Sequence, residues 1–442
     1  MNSTLPSHTT LFQNVTAILM DDARTVLKNA WVAVENGVIT AVSTQKPEGA
    51  FDRIIDGHGG ILMPGLINCH AHIAMTAMRG YGDGNDLQTW LSDYIWPVER
   101  RWDDRSIRVC TDLGLMEMIA SGITCVCDMY MHTHTVGQAL LDAGLSGHLS
   151  VAGVYFGEND AFDPAGCHDC VDQEELVKVW HNADNGRIRF DASLHAEYTS
   201  KPAMWEWTAD FAKRYGLNMH VHISETLKEH QECRARWGLT PIQALDKYGL
   251  WDGAERSVAA HCVYAAPEDW DIMAEKRISC VHNPASNLKL GSGIAPINGM
   301  MGRGVNITLG TDGVSSNNST DLFEDMKLAI LVQNGLHCDP MALTAWDALE
   351  MATVNGAKAL GRNTGRIEVG RDADLILLDP DAPNLIPCHN AANNVAYSAH
   401  GSNVILNMCR GKVIYENGTF LTIDAEKTRA EVRNYALPLL FG

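Results

Sequence analysis

Residues 63–72 read Met-Pro-Gly-Leu-Ile-Asn-Cys-His-Ala-His, an apolar run that leads directly into His70 and His72. Side chains alternate along a β-strand, so two histidines separated by one residue point to the same side. A lone buried histidine is usually a hydrogen-bonded core residue, but two in alternation at a strand end offer two imidazoles to one metal ion. We therefore expect a buried strand here that ends in a metal site.

Further β-rich segments follow this one, and helical patterns separate them. The predicted strands are residues 66–73, 123–130, 149–156, 188–195, 217–223, 257–263, 278–283 and 305–311. Eight strands that alternate with helices over roughly 250–300 residues are typical of an α/β fold of the (β/α)8 TIM-barrel type. A doubly wound open sheet is the alternative, but it would want a glycine-rich phosphate-binding turn after its first strand, and none is there.

Both ends of the chain also read as short strands. Near the start, residues 31–34 and 38–42 flank Glu35-Asn36-Gly37, which is a hairpin signal. Near the end, the strand-like stretches are residues 374–378, 404–408 and 413–415. A few isolated strands are marginally stable, so we expect the two ends to meet in one small domain. The predicted domains are a composite β-sandwich of residues 1–62 and 364–442 and a barrel of residues 63–363.

The composition limits the possible partners. The chain has 442 residues with 46% hydrophobic content, enough for a large core. Its formal net charge of −20, without basic clusters, makes nucleic acid an unexpected partner. The 12 cysteines follow no repeating frame, which favours buried thiols in a reducing compartment. No apolar run approaches membrane-spanning length and no basic-then-apolar leader is visible, so we expect a cytoplasmic protein with no membrane partner.

Polar residues suited to hydrolysis stand near the ends of the later predicted strands, where the active sites of barrel enzymes lie. His222 is predicted to be a third metal ligand, and His220, which faces the same way but lies deeper, a core or supporting residue. Glu225 is predicted to carry a proton between water and a leaving group. Asp312, in an Asp-Gly pair, suits either a turn or a metal carboxylate, and we favour the carboxylate, which can also accept a proton from the nucleophilic water. His261 is expected to orient and polarise the nucleophilic hydroxide rather than bind metal.

The expected cofactor is one divalent metal ion per chain. A bridged two-metal site of the carbamylated-lysine kind would want a lysine at the end of the strand in residues 187–195, and none occurs there. Zinc suits a set of three histidines and one aspartate with an open position for water, and iron or manganese also fits.

On these residues the chain resembles the amidohydrolase superfamily, in the branch of aminated-heterocycle deaminases and chlorohydrolases. Within that branch it is similar to the 5′-methylthioadenosine/S-adenosylhomocysteine deaminase group. The resemblance spans nearly the whole chain. Its longest matching stretches are residues 64–72, 94–99, 222–226, 282–290 and 310–313, together with Ser316-Asn317-Asn318.

The resemblance implies a role for each site residue. The implied metal ligands are His70, His72, His222 and Asp312. Glu225, His261 and Asp312 are the implied catalytic groups, and Glu225 and Asp312 would also face the substrate. Glu99 matches the position that holds ribose hydroxyls, and a carboxylate suits two vicinal hydroxyls because it accepts from both. His195 matches a histidine that contacts the purine ring.

The implied reaction is hydrolytic deamination of the adenine ring of 5′-methylthioadenosine or a related adenosine, which yields the inosine analogue and ammonia. The alternative keeps the site but changes the ring, to a free base such as guanine, 8-oxoguanine or cytosine, or to a triazine. A barrel that binds a ligand without turnover is disfavoured, because the ligands and the shuttle carboxylate are all present. The implied partner is a small nucleoside, and a homo-oligomer is expected.

One departure from the family concerns the 5′ substituent of the substrate. Members that take S-adenosylhomocysteine have arginines after the third strand, whereas this chain has none between Arg108 and Arg187. His148 and the acidic stretch Glu158-Asn159-Asp160 lie in that region instead. An acidic loop repels a substrate carboxylate. We therefore expect S-adenosylhomocysteine to be a poorer substrate than 5′-methylthioadenosine, 5′-deoxyadenosine or adenosine.

Overall fold

The computed structural model describes residues 8–442, and its strands are numbered here in chain order. The first five are β1 (Thr9–Ile18), β2 (Val26–Glu35), β3 (Val38–Ser43), β4 (Arg53–Asp56) and β5 (Ile61–Pro64). The next ten are β6 (Leu66–His72), β7 (Ile123–Met129), β8 (Ser146–Ser150), β9 (Ile188–Phe190), β10 (Ala192–Ala196), β11 (Met219–Ile223), β12 (Ser257–His261), β13 (Ile278–His282), β14 (Ile307–Leu309) and β15 (Asp312–Gly313). The last four are β16 (Leu375–Leu378), β17 (Val404–Cys409), β18 (Lys412–Glu416) and β19 (Thr419–Phe420).

Strands β6–β15 form a parallel barrel from two five-stranded sheets, in the orders β15-β6-β7-β8-β9 and β10-β11-β12-β13-β14. The boundaries between the two sheets fall within two barrel strands, each of which is interrupted. The fourth strand breaks at Asp191, between β9 and β10, and the eighth breaks at residues 310–311, between β14 and β15. The described part of the chain therefore has eight strand positions around one barrel, and the predicted (β/α)8 fold is confirmed.

Helices alternate with these strands and cover the barrel. The α-helices of six or more residues in residues 8–442 are Asp104–Ala120, Thr133–Ala143, His168–Trp180, Pro202–Tyr215, Leu227–Trp237, Pro241–Lys247, Pro267–Glu275, Pro284–Lys289, Ile297–Gly302, Leu322–His337, Ala345–Ala352, Val354–Leu360, Ala391–Tyr397 and Ala425–Glu431. Short helical turns fill several of the connections, including the segment from Leu87 to Glu99. Over the same residues, no helix combines the length and the apolar character needed to cross a bilayer.

The predicted third strand is wrong in its position. Residues 149–156 read as a strand, but β8 spans Ser146–Ser150, and the chain then leaves the sheet. Val151, Val154 and Phe156 instead line a cavity at the barrel mouth. Their apolar character serves that cavity, and sequence alone cannot distinguish it from the apolar face of a strand.

The lower half of the barrel is filled by small apolar side chains. They include Ile67, Cys69, Cys125, Cys127, Val258 and Val281, with Ala357 and Leu360 of the helix Val354–Leu360 packed against them. The pairing of β6 with β7 shifts register between Asn68 and Ala71. Such a bulge re-aims side chains. Cys69 therefore belongs to the barrel interior while the next residue, His70, also faces the histidines that line the barrel mouth.

The two chain ends form one sheet beside the barrel, as predicted. Its order is β19-β18-β17-β16-β5-β1-β2-β3, with β4 paired to β1. The ends meet where β5 runs antiparallel to β16, with Met63 opposite Ile376. This pairing continues to Pro64, just before the first barrel strand begins. The domain boundaries at residues 62 and 364 remain predictions.

The end of the chain, in residues 425–441, is helical, which was not predicted from the sequence. This segment packs on the barrel helix Asp104–Ala120 instead of extending the sheet. Arg105 forms an ion pair with Glu431 at 2.7 Å, and Arg101 donates a hydrogen bond to the carbonyl of Leu440, also at 2.7 Å.

Candidate active site

The carboxyl ends of the barrel strands open into a cavity of about 860 Å³. Seven of the predicted site residues line it: His72, Glu99, His195, His222, Glu225, His261 and Asp312. The eighth, His70, is fully buried, and its ring lies 4.8 Å from that of His72. The structure thus brings together every residue that the sequence analysis selected for the site.

Three of the histidines direct ring nitrogens toward a common point. The Nε2 atoms of His72 and His222 are 3.3 Å apart. The Nε2 atom of His70 is buried and has no hydrogen-bond partner in residues 8–442. One nitrogen from each ring lies within 4.8 Å of the other two. Converging buried nitrogens without acceptors suit a bound cation.

Asp312 completes this cluster from the eighth strand. Its Oδ1 atom lies 3.4 Å from Nε2 of His70 and 3.2 Å from Nε2 of His72. Its Oδ2 atom accepts hydrogen bonds from the hydroxyls of Ser286 at 2.6 Å and Ser316 at 3.0 Å. Burial alone would raise the pKa of Asp312, but the close approach of the two histidines outweighs it and holds the pKa well below its usual value.

The four residues fit one divalent metal ion. Three imidazole nitrogens and one carboxylate oxygen are a donor set that zinc accepts with room for a water molecule. The rings are already oriented, because Nδ1 of His72 lies 2.5 Å from the carbonyl of Met129 and Nδ1 of His222 lies 2.7 Å from that of His195. A nitrogen that donates to a carbonyl leaves the other ring nitrogen with its lone pair. His261 is close enough to form a second possible group with His70 and Asp312.

Glu225 and His261 face each other across the mouth of the barrel. The Oε2 atom of Glu225 lies 4.0 Å from Nε2 of His261. Both side chains are buried, and this burial raises the pKa of Glu225. Nδ1 of His261 lies 2.8 Å from the side-chain oxygen of Asn287 and donates to it, which leaves Nε2 for the cavity. Glu225 is thus suited to holding a proton, and His261 to accepting a hydrogen bond from a water molecule.

The loop that carries Glu225 is held by Glu229. Ser224 has a φ of +53°, a conformation that a non-glycine residue rarely adopts. The two carboxylate oxygens of Glu229 accept hydrogen bonds from the backbone N–H groups of Ser224 and Glu225, each at 2.7 Å. Burial raises the pKa of Glu229 to about 8, against the effect of these two bonds.

Glu99 is a second glutamate that lines the cavity. Its Oε1 atom accepts a hydrogen bond from the hydroxyl of Tyr130 at 2.7 Å, and that hydroxyl oxygen accepts one from the indole of Trp102 at 3.2 Å. Burial raises the pKa of Glu99. A carboxylate has four lone-pair positions, so Glu99 retains acceptor capacity for hydroxyl groups of a ligand.

His195 lies beside the metal-site histidines. Its ring centre is 4.9 Å from that of His222, and its Nδ1 atom is 3.1 Å from the hydroxyl of Thr199. Burial, together with the nearby His72, lowers the pKa of His195 to about 4. The ring is therefore neutral at pH 7, with its other nitrogen left for the cavity that it lines.

The outer part of the cavity differs from the sequence-based expectation. Its apolar wall includes Leu87, Trp90, Leu91, Ile95, Trp96, Met131, Val154 and Phe156. The charged groups that line it are Arg100, Asp169 and Asp172, with His168 beside them. The acidic residues 158–160 are absent from the lining. His148 is also absent, because it is buried within the barrel and bonded to Asp191 and Arg362.

Comparisons with known proteins agree with this geometry. The amidohydrolase family model matches residues 61–414. A 5-methylthioadenosine/S-adenosylhomocysteine deaminase of Thermoanaerobacter pseudethanolicus is 38% identical over 97% of this chain and 99% of its own. A 5′-deoxyadenosine deaminase of Methanosphaera stadtmanae is 37% identical over 93% of this chain and 96% of its own. The structure of an adenosine deaminase of Xanthomonas campestris with bound zinc matches with a TM-score of 0.90 and 30% identity, over 97% of this chain and 98% of that one.

The chain belongs to the amidohydrolase family. The family resemblance inferred from residues 63–72 and the later motifs is confirmed.

This amidohydrolase also uses site residues to which the sequence analysis gave no role. Asn287 fixes the ring of His261, and Ser286 and Ser316 hold Asp312. All three lie in stretches that carried the family resemblance, which was the available signal. Tyr130 and Glu229 gave no signal, because a tyrosine after a strand and a glutamate on a helix are common.

We expect Glu229→Gln to loosen the loop that carries Glu225. An amide has one acceptor oxygen, so one of the two backbone N–H groups loses its partner at a cost of about 1–3 kcal/mol. Hydrogen exchange of the amides of Ser224 and Glu225 should then accelerate about tenfold or more. Mass spectrometry of exchange in peptides from this loop measures the effect. Glu232→Gln, at a half-exposed position on the same helix, is the matched control, and equal exchange in the two variants would contradict the role given to Glu229.

Proposed function

We propose that this amidohydrolase deaminates 5′-methylthioadenosine or a related adenosine, with 5′-deoxyadenosine and adenosine as the other candidates. The observation that carries the proposal is a cavity lined by both Glu225 and Glu99 beside the cluster of His70, His72, His222 and Asp312. The names of the relatives confirm the sequence-based prediction of a hydrolytic deaminase. The proposed partner is a small nucleoside, and the homo-oligomer remains an expectation.

The proposed cofactor is one divalent metal ion per chain, with zinc as the first choice. His70, His72, His222 and Asp312 would hold it. A metal ion in such a site supplies Lewis acidity, which makes water a nucleophile at neutral pH. His261 has a different assignment, because its Nε2 atom faces Glu225.

The protein groups divide the proton transfers between them. Asp312, kept ionised by its histidine neighbours, accepts one proton from the attacking water. His261 orients that water by accepting a hydrogen bond at Nε2. Glu225, whose pKa is raised by burial, delivers a proton to N1 of the adenine ring, so that C6 accepts the water oxygen. Asp312 then passes its proton to the amino group, and the proton on the C6 hydroxyl returns to Glu225. The C–N bond breaks, ammonia leaves, and the inosine analogue remains with both carboxyl groups in their starting states.

The cavity offers a different group to each part of a nucleoside. Glu99, positioned by Tyr130, is suited to the two ribose hydroxyls. His195 is suited to the purine ring. The apolar outer wall, which includes Trp96 and Phe156, is suited to a methyl or methylthio group at the 5′ position.

The charged groups of the outer wall bear on S-adenosylhomocysteine. Asp169 and Asp172 repel a carboxylate, which supports the expectation that this compound is a poorer substrate. Arg100, which precedes the arginine-free region between Arg108 and Arg187, also lines the cavity and would attract the carboxylate. We propose that the two aspartates prevail, because they carry the larger charge.

The proposed reaction predicts a change of ultraviolet spectrum. Zinc-loaded protein incubated with 5′-methylthioadenosine should convert the adenine spectrum into that of hypoxanthine. Glu225→Gln cannot deliver the proton, and its kcat should fall about 10²- to 10⁴-fold with its metal content unchanged. Glu232→Gln is a control for the loss of one negative charge nearby. An unchanged spectrum with wild-type protein and confirmed metal would favour free bases or triazines.

Nucleosides and free bases should respond differently to the loss of Glu99. In Glu99→Gln one acceptor oxygen becomes a donor, so we expect the KM for 5′-methylthioadenosine to rise about tenfold or more while kcat changes less. Tyr130→Phe keeps Glu99 but removes the hydroxyl that donates to its carboxylate, so this variant should give a smaller rise in KM. Steady-state kinetics with a nucleoside and with free adenine and guanine measure the contrast. A free-base deaminase would show the same kinetics in all three proteins.

The outer charges should set the preference between 5′ substituents. Asp172→Asn is expected to raise kcat/KM for S-adenosylhomocysteine relative to 5′-methylthioadenosine about fivefold, the effect of removing roughly 1 kcal/mol of repulsion. Arg100→Gln should lower the same ratio. Asp160→Asn removes an exposed acid outside the cavity and is the matched control. If Asp172→Asn and Asp160→Asn give the same ratio, the outer aspartates do not select the substituent.

A further inference from the structure

The three histidines proposed as metal ligands are oriented in two different ways. His72 and His222 each place Nδ1 against a backbone carbonyl, that of Met129 and that of His195. Among the described residues, no carbonyl oxygen takes this place beside His70. Its Nδ1 atom lies 2.9 Å from Nε2 of His220, a histidine to which the mechanism gives no role.

From His70 through His220 to Ser150, each group donates a hydrogen bond to the next. His70 presents Nε2 to the metal site, so its Nδ1 carries the proton and donates to Nε2 of His220. His220 must then carry its own proton on Nδ1, which lies 3.0 Å from the hydroxyl oxygen of Ser150. That hydroxyl donates to the carbonyl of Asp128 at 3.0 Å. The chain of donors ends at a backbone acceptor, so each ring has one tautomer.

In the part of the chain that the structure describes, His220 has only one other possible side-chain partner, and it is a weaker one. His70, His220 and Ser150 are almost completely buried, at 0 to 1% exposure, so water cannot replace a missing partner. Sγ of Cys127 lies 3.4 Å from Nδ1 of His220, a weaker acceptor on the same side as Ser150. A buried donor that loses its acceptor is costly, and this cost ties the ring of His70 to that of His220.

Backbone carbonyls at the end of strand β7 therefore fix the orientation of both proposed ligands on strand β6, His70 and His72. The carbonyl of Met129 fixes His72 directly. The carbonyl of Asp128 fixes His70 through Ser150 and His220. The carboxylate of Asp128 accepts the backbone N–H of Ile73 at 2.7 Å and so holds the residue that follows His72.

We propose that His220 is a positioning residue for the metal site, which keeps His70 in the tautomer and orientation that direct Nε2 at the metal ion. The proposal rests on the metal ligands assigned under the proposed function, and it is independent of the substrate. A partner that accepts from the second nitrogen of a ligand histidine strengthens metal binding, and its loss typically weakens affinity about 10- to 100-fold.

The test compares His220→Gln with His220→Leu. The Gln side-chain oxygen can accept from Nδ1 of His70, whereas Leu fills the space without an acceptor. We expect zinc affinity, measured by competition with a chromophoric chelator, to fall about 10- to 100-fold in His220→Leu and to recover most of that loss in His220→Gln. The visible spectrum of the cobalt-substituted protein should shift in His220→Leu and resemble wild type in His220→Gln. A role in packing alone would not separate the two variants in this way.

Two further variants keep the test decisive. His282→Gln changes a histidine that is equally buried but has no side-chain hydrogen bond in residues 8–442, and its zinc affinity should match wild type. If His220→Leu does not fold, Ser150→Ala removes the acceptor of His220 and should lower zinc affinity severalfold, since Cys127 remains as a weak acceptor. Wild-type affinity in His220→Leu, or in Ser150→Ala if that variant replaces it, would overturn the proposal.

Failure of this proposal can be told apart from failure of the proposed function. None of these measurements contains a nucleoside, and the ultraviolet assay on the wild-type protein decides the reaction separately. A wild-type protein that binds no divalent metal would overturn both proposals. A wild-type protein that binds zinc, with variants that bind it equally well, would overturn only the role of His220.

Discussion

The site depends on the closure of the barrel between its first and eighth strands. Strand β15 pairs with β6 so that Asp312 lies opposite Ala71, and this pairing brings the carboxylate to the two histidines of β6. A buried amide secures the junction, because Asn68 donates to the hydroxyl of Thr311 at 2.7 Å and accepts from its backbone N–H at 3.0 Å. Without this contact, the side chains of His70 and His72 would not converge with that of Asp312.

Burial then sets the protonation states that the proposed chemistry requires. It lowers the pKa of His70 to about 4, which keeps its lone pair available. The same burial raises the pKa of Glu225, which favours a carboxyl group that can deliver a proton. His72 and Asp312 are the exceptions, because their contact with each other outweighs the effect of burial. It raises the pKa of His72 to about 9 and holds the pKa of Asp312 well below its usual value. The same buried environment therefore contains the proposed ligands, a proton donor and a proton acceptor. The neighbours of each group determine its protonation state and hence its role.

The barrel and the grouping of the candidate site residues at its mouth could be predicted from sequence because they depend on local patterns. A polar residue at the end of an apolar strand is visible in the sequence, and a parallel barrel places all such ends on one side. Contacts between distant segments gave no such pattern. Tyr130 reaches Glu99 from another strand end, and the helical residues 425–441 pack on a helix more than 300 positions earlier. The error in the third strand had the same origin, since the apolar character of residues 151–156 serves a cavity that forms only after folding.

Three residues at the candidate site have backbone conformations that other residues must support. Ser224, His261 and Asp312 have φ values of +53°, +77° and +61°, where side chains other than glycine are disfavoured. Each of the three positions has its own support. Glu229 binds the N–H of Ser224, Asn287 binds the ring of His261, and Ser286 binds the carboxylate of Asp312.

These conformations lie where strands end, which is where a chain must turn to bring its side chains over the barrel axis. Each of these backbone conformations costs of order 1–3 kcal/mol. Buried hydrogen bonds that have no role in the proposed reaction offset this cost. The site therefore requires these supporting residues as well as the proposed metal ligands. None of the supporting residues contacts the converging ring nitrogens of His70, His72 and His222.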